Sequence, residues 1–340
     1  PGLASTGKLK AALKAVGFYD VVEVAIGADL CTVEEAHDFL EEVPEKLDWM
    51  GTSCCPAWVK FAETYYPELL PHISTAKSPI GMQGPTIKTY FAQKMGIDPT
   101  KIVNVALTPC TAKKFEIRRE EMNAAGKKLG IPEMRDMDFV ITTRELAKWA
   151  KEAGIDLECL EDSSYDRLMG EASGAGVIFG VTGGVMEAAL RSAYYLVTGK
   201  NPDPDAFYAV RGMEGWKEAK FDVAGTEISV AVAHGLGNTR RLMEAIERGD
   251  VHYDFVEIMA CPGGCAGGGG QPIHEGKESA EERGENLRKL DKENTLRFSH
   301  ENPSVIKCYE NYLQKPLSHR AHELLHTEHK AWLMPDEPQE

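Results

Sequence analysis

The sequence lacks three features that define common functional classes. It has no run of about 18 or more apolar residues, so nothing in it predicts a membrane span. It has no excess of positive charge, since 53 Asp and Glu outnumber 38 Lys and Arg. The resulting net charge of −15 argues against nucleic acid or an anionic membrane surface as a partner. It is also poor in cysteine, with eight in 340 residues, unlike a secreted disulfide scaffold. We therefore expect a reducing compartment and a cytoplasmic location.

Five of the eight cysteines nevertheless lie in three short segments. The segments read TSCCPAW at 52–58, TPCTAKK at 108–114 and EIMACPGGCAGGGGQP at 257–272. Gly, Pro, Ser and Thr flank the cysteines, which is typical of loops rather than of helix interiors. Cysteines brought together by loops indicate a metal cluster or a reactive thiol.

Two kinds of metal site agree with these residues. Cys55, Cys110, Cys261 and Cys265 can surround a four-iron four-sulfur cluster, which binds four thiolates. Tetrahedral zinc is the alternative, although zinc sites usually contain two close cysteine pairs and this chain has only the pair at 261 and 265. The glycine run after Cys265 allows close approach to a bulky cofactor, and its conformational cost requires a compensating reason if the loop is ordered.

Strand–loop–helix units recur along the chain. Patterns of apolar and β-branched residues predict strands at 20–26, 102–107, 139–141, 227–233 and 256–259. Thr32 is expected to cap a helix that runs to about Leu40. The alternation favours an α/β fold with parallel pairing, in which ligands bind beyond the carboxyl ends of the strands. The charged segment 275–302 is expected to be a solvated helix or loop.

The three cysteine segments, in this order, resemble the signature segments of the catalytic domain of FeFe-hydrogenases, also called iron-only hydrogenases. The resemblance covers nearly the whole chain, since it extends to segments 27–30, 76–79, 141–147, 183–191 and from 299–302 to 320–323. It implies two lobes, each a mostly parallel sheet flanked by helices, with the cofactor in the cleft between them. It also implies one catalytic domain over 1–330, without the family's usual N-terminal segment, followed by a tail at 331–340.

The resemblance further implies the six-iron H-cluster, in which a four-iron four-sulfur cubane is joined to a two-iron subsite with CO, cyanide and azadithiolate ligands. Cys55, Cys110, Cys261 and Cys265 match the cubane ligands, and Cys265 matches the cysteine shared with the two-iron unit. Lys113 matches a lysine that bonds a cyanide ligand. Met259 matches a methionine that packs on the two-iron unit. The other residues expected at the cofactor are Phe179, Ser78, Pro79, Thr108 and Gln271.

A buried cluster needs a route for protons. Glu35 and Asp38 are three residues apart on one predicted helix face, where a solvated acidic face is the ordinary interpretation. The resemblance instead implies a relay through Asp38, Ser74 and Glu35 to Cys54, whose thiol donates a proton to the azadithiolate amine. Three departures indicate a less-studied subgroup: Thr108 where many members have methionine, Ala57 where many have glycine, and Asp38 where glutamate is usual.

The function expected from this resemblance is the reversible oxidation of dihydrogen. A ferredoxin-like carrier, or an N-terminal iron–sulfur module absent from this sequence, is expected to exchange electrons, and maturation proteins to supply the two-iron subsite. The alternatives are a non-catalytic iron–sulfur assembly protein, whose kind generally lacks the full first segment, and a hydrogen sensor. Cys31, Cys159 and Cys308 match no ligand position and are expected to be structural, with Cys31 a candidate for redox behaviour near Glu35.

Overall fold

A computed structural model describes residues 5–157, 159–164, 169–273 and 279–332. Its strands form two sheets, and we call each sheet with its flanking helices a lobe. The strands are β1 (Met50–Gly51), β2 (Val105–Thr108), β3 (Phe139–Thr142), β4 (Trp216–Val223), β5 (Thr226–His234) and β6 (Phe255–Met259). The larger sheet has the order β1-β6-β5-β4, and the smaller one pairs β2 with β3. This confirms the predicted α/β class.

Helices flank both sheets. The α-helices are α1 (Thr6–Ala15), α2 (Ala25–Glu42), α3 (Pro56–Tyr65), α4 (Pro79–Thr86), α5 (Ala92–Met95), α6 (Lys113–Glu116), α7 (Ala124–Leu129), α8 (Thr143–Glu152), α9 (Gly174–Val177), α10 (Gly184–Thr198), α11 (Leu236–Glu247), α12 (Ala280–Glu293), α13 (Pro303–Cys308) and α14 (His319–Leu325). Short 3₁₀ turns occupy 67–72, 99–101, 178–180, 208–210, 265–267 and 299–301, and π turns occupy 87–91 and 309–313. Helix α2 packs against α4, α9 and α10, so it lies in the interior.

Pairing in the larger sheet is parallel except at one edge. β6 pairs in parallel with β1, in the register Met50 to Phe255, and with β5, in the register Val230 to Phe255. The edge strand β4 pairs antiparallel with β5. It was not predicted from the sequence, since charged residues interrupt its apolar pattern, as is common on an exposed edge strand.

Two predicted elements near the N-terminus are wrong. The segment 20–24 forms no strand, and α2 already begins at Ala25. Four β-branched residues between 21 and 26 imitate a strand pattern, but packing against neighbouring helices decides the conformation. Thr32 is not a helix cap, because it lies inside α2 and its hydroxyl donates to the Ala28 carbonyl (2.9 Å).

The segment 279–332 is tied to the rest of the fold by buried polar contacts. On α2, the wholly buried Asp29 accepts hydrogen bonds from the Ser173 N–H (2.8 Å), the Ser299 hydroxyl (2.7 Å) and the Asn302 amide (2.7 Å). The charged stretch 275–302 is therefore not only a solvated surface, although 274–278 lie outside the described residues. The predicted tail is described only at 331–332, where the Trp332 N–H donates to the Glu63 carbonyl (2.7 Å).

We predict that Asp29→Ala destabilises the fold, because it removes the acceptor of four buried hydrogen bonds, donated by the Ser173 N–H and hydroxyl, the Ser299 hydroxyl and the Asn302 amide. Each buried donor left unpaired costs about 1–3 kcal/mol. The midpoint of thermal unfolding should fall by roughly 5–10 °C, as measured by circular dichroism. Asp29→Asn keeps one acceptor oxygen, so its midpoint of thermal unfolding should fall less. The exposed Asp98→Ala is the control, and an equal fall in that variant would contradict the role given to Asp29.

Candidate metal centre

Each of the three cysteine segments follows the carboxyl end of a strand. Cys54 and Cys55 follow β1, Cys110 follows β2 and Cys261 follows β6. Since β1 and β6 are parallel neighbours, their carboxyl ends meet at one edge of the larger sheet. This is the edge at which the sequence predicted a ligand site.

Hydrogen bonds bring the β2 loop of the other lobe to this edge. The Lys113 ammonium donates to the Cys54 carbonyl (3.0 Å). The Gly270 N–H donates to the Pro109 carbonyl (2.7 Å), and the Arg144 N–H donates to the Gly270 carbonyl (2.9 Å). The loops that carry all five cysteines therefore meet between the two lobes.

The four predicted ligands are electrostatic neighbours. Burial raises the pKa values of Cys55, Cys261 and Cys265, and the Cys110 thiol raises each of them further. The four thiols are partly accessible although protein surrounds them, as expected for side chains that line a space between loops. Four thiolates at such a place require cationic charge among them. The donor set therefore fits a four-iron four-sulfur cluster.

Backbone N–H groups point at two of these sulfurs. The Ala260 N–H donates to Cys55 Sγ (3.4 Å), and the Trp58 N–H also lowers the pKa of Cys55, against the larger effect of burial. The Gly269 N–H likewise lowers the pKa of Cys261. Such hydrogen bonds stabilise thiolates and tune the potential of iron–sulfur clusters.

A zinc ion and a four-iron cubane would place these thiols differently. Within the described ranges, no group of three or more His, Cys, Asp or Glu side chains is placed to hold a single metal ion. One zinc ion draws four ligands to about 2.0–2.3 Å, whereas a cubane spreads its four cysteines over four irons.

The glycine run has the packing reason that the sequence required of it. A Cβ on Gly268 would lie 2.4 Å from the Pro109 carbonyl oxygen, and one on Gly270 would lie 2.8 Å from the same atom. Just before Cys265, a Cβ on Gly264 would lie 2.7 Å from Met259 Sδ. Gly264 also has φ +84°, a conformation that other residues rarely adopt. At the end of the loop, the Gln271 N–H donates to the Gly268 carbonyl (2.9 Å). Close contact between the second and third loops therefore depends on glycine.

Lys113 lies in a buried network that the sequence did not reveal in full. Its ammonium is 2.9 Å from Glu116 Oε2, which also accepts a hydrogen bond from the Ser78 hydroxyl (3.0 Å). Burial opposes the charge of Lys113, but Glu116, Cys110 and Cys54 outweigh it and raise the lysine pKa. Glu116 was missed, although its spacing of three residues from Lys113 is a usable signal.

The remaining pocket residues lie around the same loops. Met259 is the last residue of β6, and it packs with Phe179 and Cys54 in one apolar cluster. Ser78 caps α4 through the Gly81 N–H (3.3 Å), and Pro79 is the first residue of that helix. Thr108 ends β2, opposite Thr142 of β3.

The adjacent cysteines lie in different surroundings. Cys54 packs against the apolar cluster around α2, whereas Cys55 packs against the cluster on α3 and the larger sheet. Cys55 has an extended backbone, in which consecutive side chains point to opposite sides, so the two adjacent thiols do not face the same way. The pKa of the Cys54 thiol is raised well above its ordinary value, first by burial and then by Cys31, Glu35 and Cys55.

Two of the predicted relay residues, Ser74 and Asp38, are joined by a hydrogen bond, whereas Glu35 has none to either of them. Glu35 is wholly buried on α2, and neither carboxylate oxygen has a hydrogen-bond partner within the described residues. Burial and then Asp38 raise the pKa of Glu35 to about 8, against a smaller opposing effect of the Ser53 N–H, which makes no well-formed bond. The Ser74 hydroxyl donates to the half-buried Asp38 (3.3 Å). Burial raises the pKa of Asp38, while His326 lowers it.

Two further buried groups were missed by sequence reasoning. Glu34 accepts hydrogen bonds from the Tyr309 hydroxyl and the Leu317 N–H (3.0 Å), and it lies 3.0 Å from His326 Nε2. These partners are almost 300 residues away in sequence, and no local pattern indicates them. His234, at the end of β5, accepts from the Gly263 N–H (3.1 Å) and thereby holds the third cysteine loop.

Comparison with known proteins shows the family of this chain. Residues 1–269 match the family model of the iron only hydrogenase large subunit, C-terminal domain, and residues 277–332 match that of the iron hydrogenase small subunit. The chain is 47% identical to the NADP-reducing hydrogenase subunit HndD of Solidesulfovibrio fructosivorans, over 96% of this chain and 56% of that protein. It is 50% identical to the periplasmic Fe hydrogenase large subunit of Nitratidesulfovibrio vulgaris, over 83% of this chain and 66% of the relative. It thus spans less than two thirds of both relatives.

A solved structure and a second group of relatives are also similar. The apo FeFe-hydrogenase HydA1 of Chlamydomonas reinhardtii, in a variant form, superposes with a TM-score of 0.84 at 41% identity, over 97% of this chain and 89% of that one. The cytosolic iron-sulfur assembly component 3 of Bos taurus is 33% identical over 95% of this chain and 69% of its own length. This chain therefore belongs to the family of the iron-only hydrogenase large subunit, C-terminal domain.

Proposed function

We propose that this chain catalyses the reversible oxidation of dihydrogen to protons and electrons at a six-iron H-cluster. The observation that carries the proposal is the pair formed by Cys54 and Glu35. The wholly buried Glu35 carboxyl group, which has no hydrogen-bond partner among the described residues, raises the pKa of the Cys54 thiol, and Cys54 directly precedes the predicted cubane ligand Cys55. Such a pair is costly for the fold and useful for moving protons.

The cofactor would be held by the residues around the three loops. Cys55, Cys110, Cys261 and Cys265 would bind the cubane, and the two-iron subsite with its CO, cyanide and azadithiolate ligands would lie against Lys113, Met259, Phe179, Ser78, Pro79, Thr108 and Gln271. When bound, this cofactor supplies the binding and cleavage of dihydrogen and the transfer of electrons. The protein supplies orientation, charge and the proton route.

Proton transfer falls to the side chains between the site and the surface. The Cys54 thiol keeps its proton at neutral pH, because its surroundings raise its pKa well above the ordinary value. Glu35, with a pKa of about 8, exchanges a proton near the working pH. Ser74 and Asp38 continue the path outward, since Asp38 is half-buried while Glu35 is wholly buried. A water molecule or a side-chain rotation must connect Glu35 with Ser74.

We place the activity in the cytoplasm, with a ferredoxin-like carrier or a separate iron–sulfur module as electron partner and with maturation proteins that load the two-iron subsite. We also treat 1–330 as one catalytic domain, since the segment 279–332 contributes partners to Asp29, Glu34 and Ser74. No helix among the described residues is long and apolar enough to cross a membrane.

A role in iron–sulfur cluster assembly is the second candidate. Its support is the similarity to the cytosolic iron-sulfur assembly component 3. Such a role requires cluster-binding cysteines but no proton path from the surface to the cluster. The Cys54–Glu35 pair therefore favours catalysis over assembly or over hydrogen sensing without turnover.

Infrared spectroscopy on anaerobically matured protein tests the proposed function. We expect bands from metal-bound CO and cyanide that shift when dihydrogen is added. An unmatured sample is the control and should show none of these bands. If maturation leaves a cubane signal in electron paramagnetic resonance but no CO or cyanide bands, the assembly role is the better interpretation.

We predict that Cys54→Ala retains the cubane and loses about 10²–10⁴-fold in hydrogen turnover, because it removes the group that exchanges the proton. Cubane content is measured by iron analysis and absorbance, and turnover by gas chromatography. Cys55→Ala should instead impair cluster binding itself. The buried Cys308→Ala is the matched control and should keep both properties. Near-full activity in Cys54→Ala would exclude this relay.

We predict a pH-dependent stability effect at Glu35. Its pKa is about 8 in the folded chain and near the ordinary value of 4.5 when unfolded, so the folded state holds an extra proton between these values. The stability contributed by this group is complete below about pH 4.5 and is lost as the pH rises to about 8. Glu35→Gln cannot ionise, so its unfolding midpoint relative to wild type should rise between about pH 5 and pH 8. The exposed Glu41→Gln should show a constant difference, and a constant difference for Glu35→Gln would contradict the raised pKa.

A further inference from the structure

His234 is a buried imidazole at the carboxyl end of β5, outside the residues assigned to the cofactor and to the proton relay. Its register partner on β6 is Met259, two residues before the predicted cubane ligand Cys261. Both ring nitrogens have backbone partners. Nδ1 accepts from the Gly263 N–H (3.1 Å), and Nε2 lies 3.2 Å from the Met213 carbonyl oxygen.

These two contacts determine which ring nitrogen of His234 carries a proton. A backbone N–H can only donate, so Nδ1 must be unprotonated. A carbonyl oxygen can only accept, so Nε2 must carry the proton. The ring is therefore neutral, in agreement with its pKa, which burial and then the Lys217 ammonium lower. A neutral ring held at both nitrogens joins the third cysteine loop to the residues that precede β4.

Gly263 is the residue through which this contact reaches the predicted ligands. It lies midway between Cys261 and Cys265, and its φ is +75°. Its N–H donates to His234, while its carbonyl accepts from the Thr182 N–H (3.2 Å). Both backbone polar groups of Gly263 therefore bind partners outside the loop that joins the two cysteines.

We propose that His234 is a positioning residue of the cubane, which keeps the Gly263 N–H away from the cluster sulfurs and thereby makes the reduction potential of the cubane more negative. Hydrogen bonds to the sulfurs stabilise the reduced cluster, because reduction adds negative charge to it. Neighbouring loops supply such donors, since the Ala260 and Gly269 N–H groups favour the thiolates of two predicted ligands. His234 withholds one further donor. This role rests on the cubane of the proposed function, but not on hydrogen turnover.

Packing around Gly263 offers its N–H no ready substitute for the imidazole. A Cβ on this buried glycine would lie 2.8 Å from Ala280 Cβ and 3.0 Å from Met213 Cε, so apolar groups crowd the loop here. Apolar groups cannot accept a hydrogen bond, and a buried N–H left unpaired costs free energy. Without His234, the Gly263 N–H therefore gains most by turning toward the thiolates at either side of it.

Three substitutions of His234 separate its two hydrogen bonds. His234→Asn keeps an acceptor at the position of Nδ1 and should keep the wild-type potential. His234→Gln keeps a donor at the position of Nε2 alone, and His234→Leu keeps neither group. Both of these should raise the potential, so that the ratio of reduced to oxidised cubane at the wild-type midpoint increases by about two- to tenfold. The potential is measured by a redox titration followed by electron paramagnetic resonance, in protein that carries only the cubane.

The comparison of His234→Asn with His234→Gln decides the proposal even if His234→Leu binds no cluster, because both substituted side chains are neutral amides. Equal potentials in these two variants would overturn it. His300→Leu is the matched control, since that imidazole is also bonded at both ring nitrogens, to Ser192 (3.0 Å) and Asn201 (2.9 Å), and its partners lie outside the cysteine segments. It should leave the potential unchanged.

Measurements on matured protein separate this role from the proposed function. His234→Gln should lower the ratio of proton reduction to hydrogen oxidation several-fold, because its cubane is a weaker electron donor, and His234→Asn should keep the wild-type ratio. If the potentials follow the expected order but maturation gives no CO or cyanide bands, the proposed function fails and the positioning role stands. If turnover is present and the potentials do not change, the positioning role fails.

Discussion

The approach of four cysteine thiols at the ends of three strands is the constraint on which the rest of the structure depends. The Cys110 thiol raises the pKa of the other three, and the Cys55 thiol raises those of Cys261 and Cys265, so the set is stable as thiolates only around cationic charge. That requirement joins the two lobes, because Cys110 comes from the smaller sheet while the other three follow strands of the larger one. The glycine run and the contact of Lys113 with the Cys54 carbonyl are consequences, since both bring the second loop against its neighbours.

Helix α2 carries three wholly buried acidic residues, and among the described residues only two of them have hydrogen-bond partners. Asp29 and Glu34 are wholly buried, and each accepts several hydrogen bonds from distant segments. Glu35 is equally buried, yet its oxygens have no partner among the residues described. A buried carboxyl group without partners costs free energy. Since the same helix satisfies its two neighbours, the exception at Glu35 is better explained by function than by poor packing.

The sequence predicted those parts of the site that depend on local signals. Apolar, β-branched runs before Cys110 and Cys261 correctly placed strands, with errors of a few residues at their ends. The spacing of Glu35 and Asp38 placed both on one helix. The strand predicted at 20–26 was wrong because tertiary packing extends α2 to Ala25. The partners of Asp29 and Glu34 could not be predicted, since they come from residues 173–326 and arise only when the chain has folded.

The dipeptide Cys54-Cys55 shows how one short loop places two thiols in different surroundings. Cys55 has an extended backbone, with φ −94° and ψ 105°, as the residue that caps α3. In extended backbone, consecutive side chains point to opposite sides. Cys55 accordingly accepts from the Ala260 N–H, while Cys54 packs against the cluster around α2 that contains Cys31, and Glu35 raises its pKa. In the proposed function, the cubane ligand and the proton donor therefore lie on opposite sides of one peptide bond. A helical conformation at this position would turn both thiols nearer to one side, so the Pro56 that begins α3 immediately after Cys55 helps keep the two thiols on separate sides.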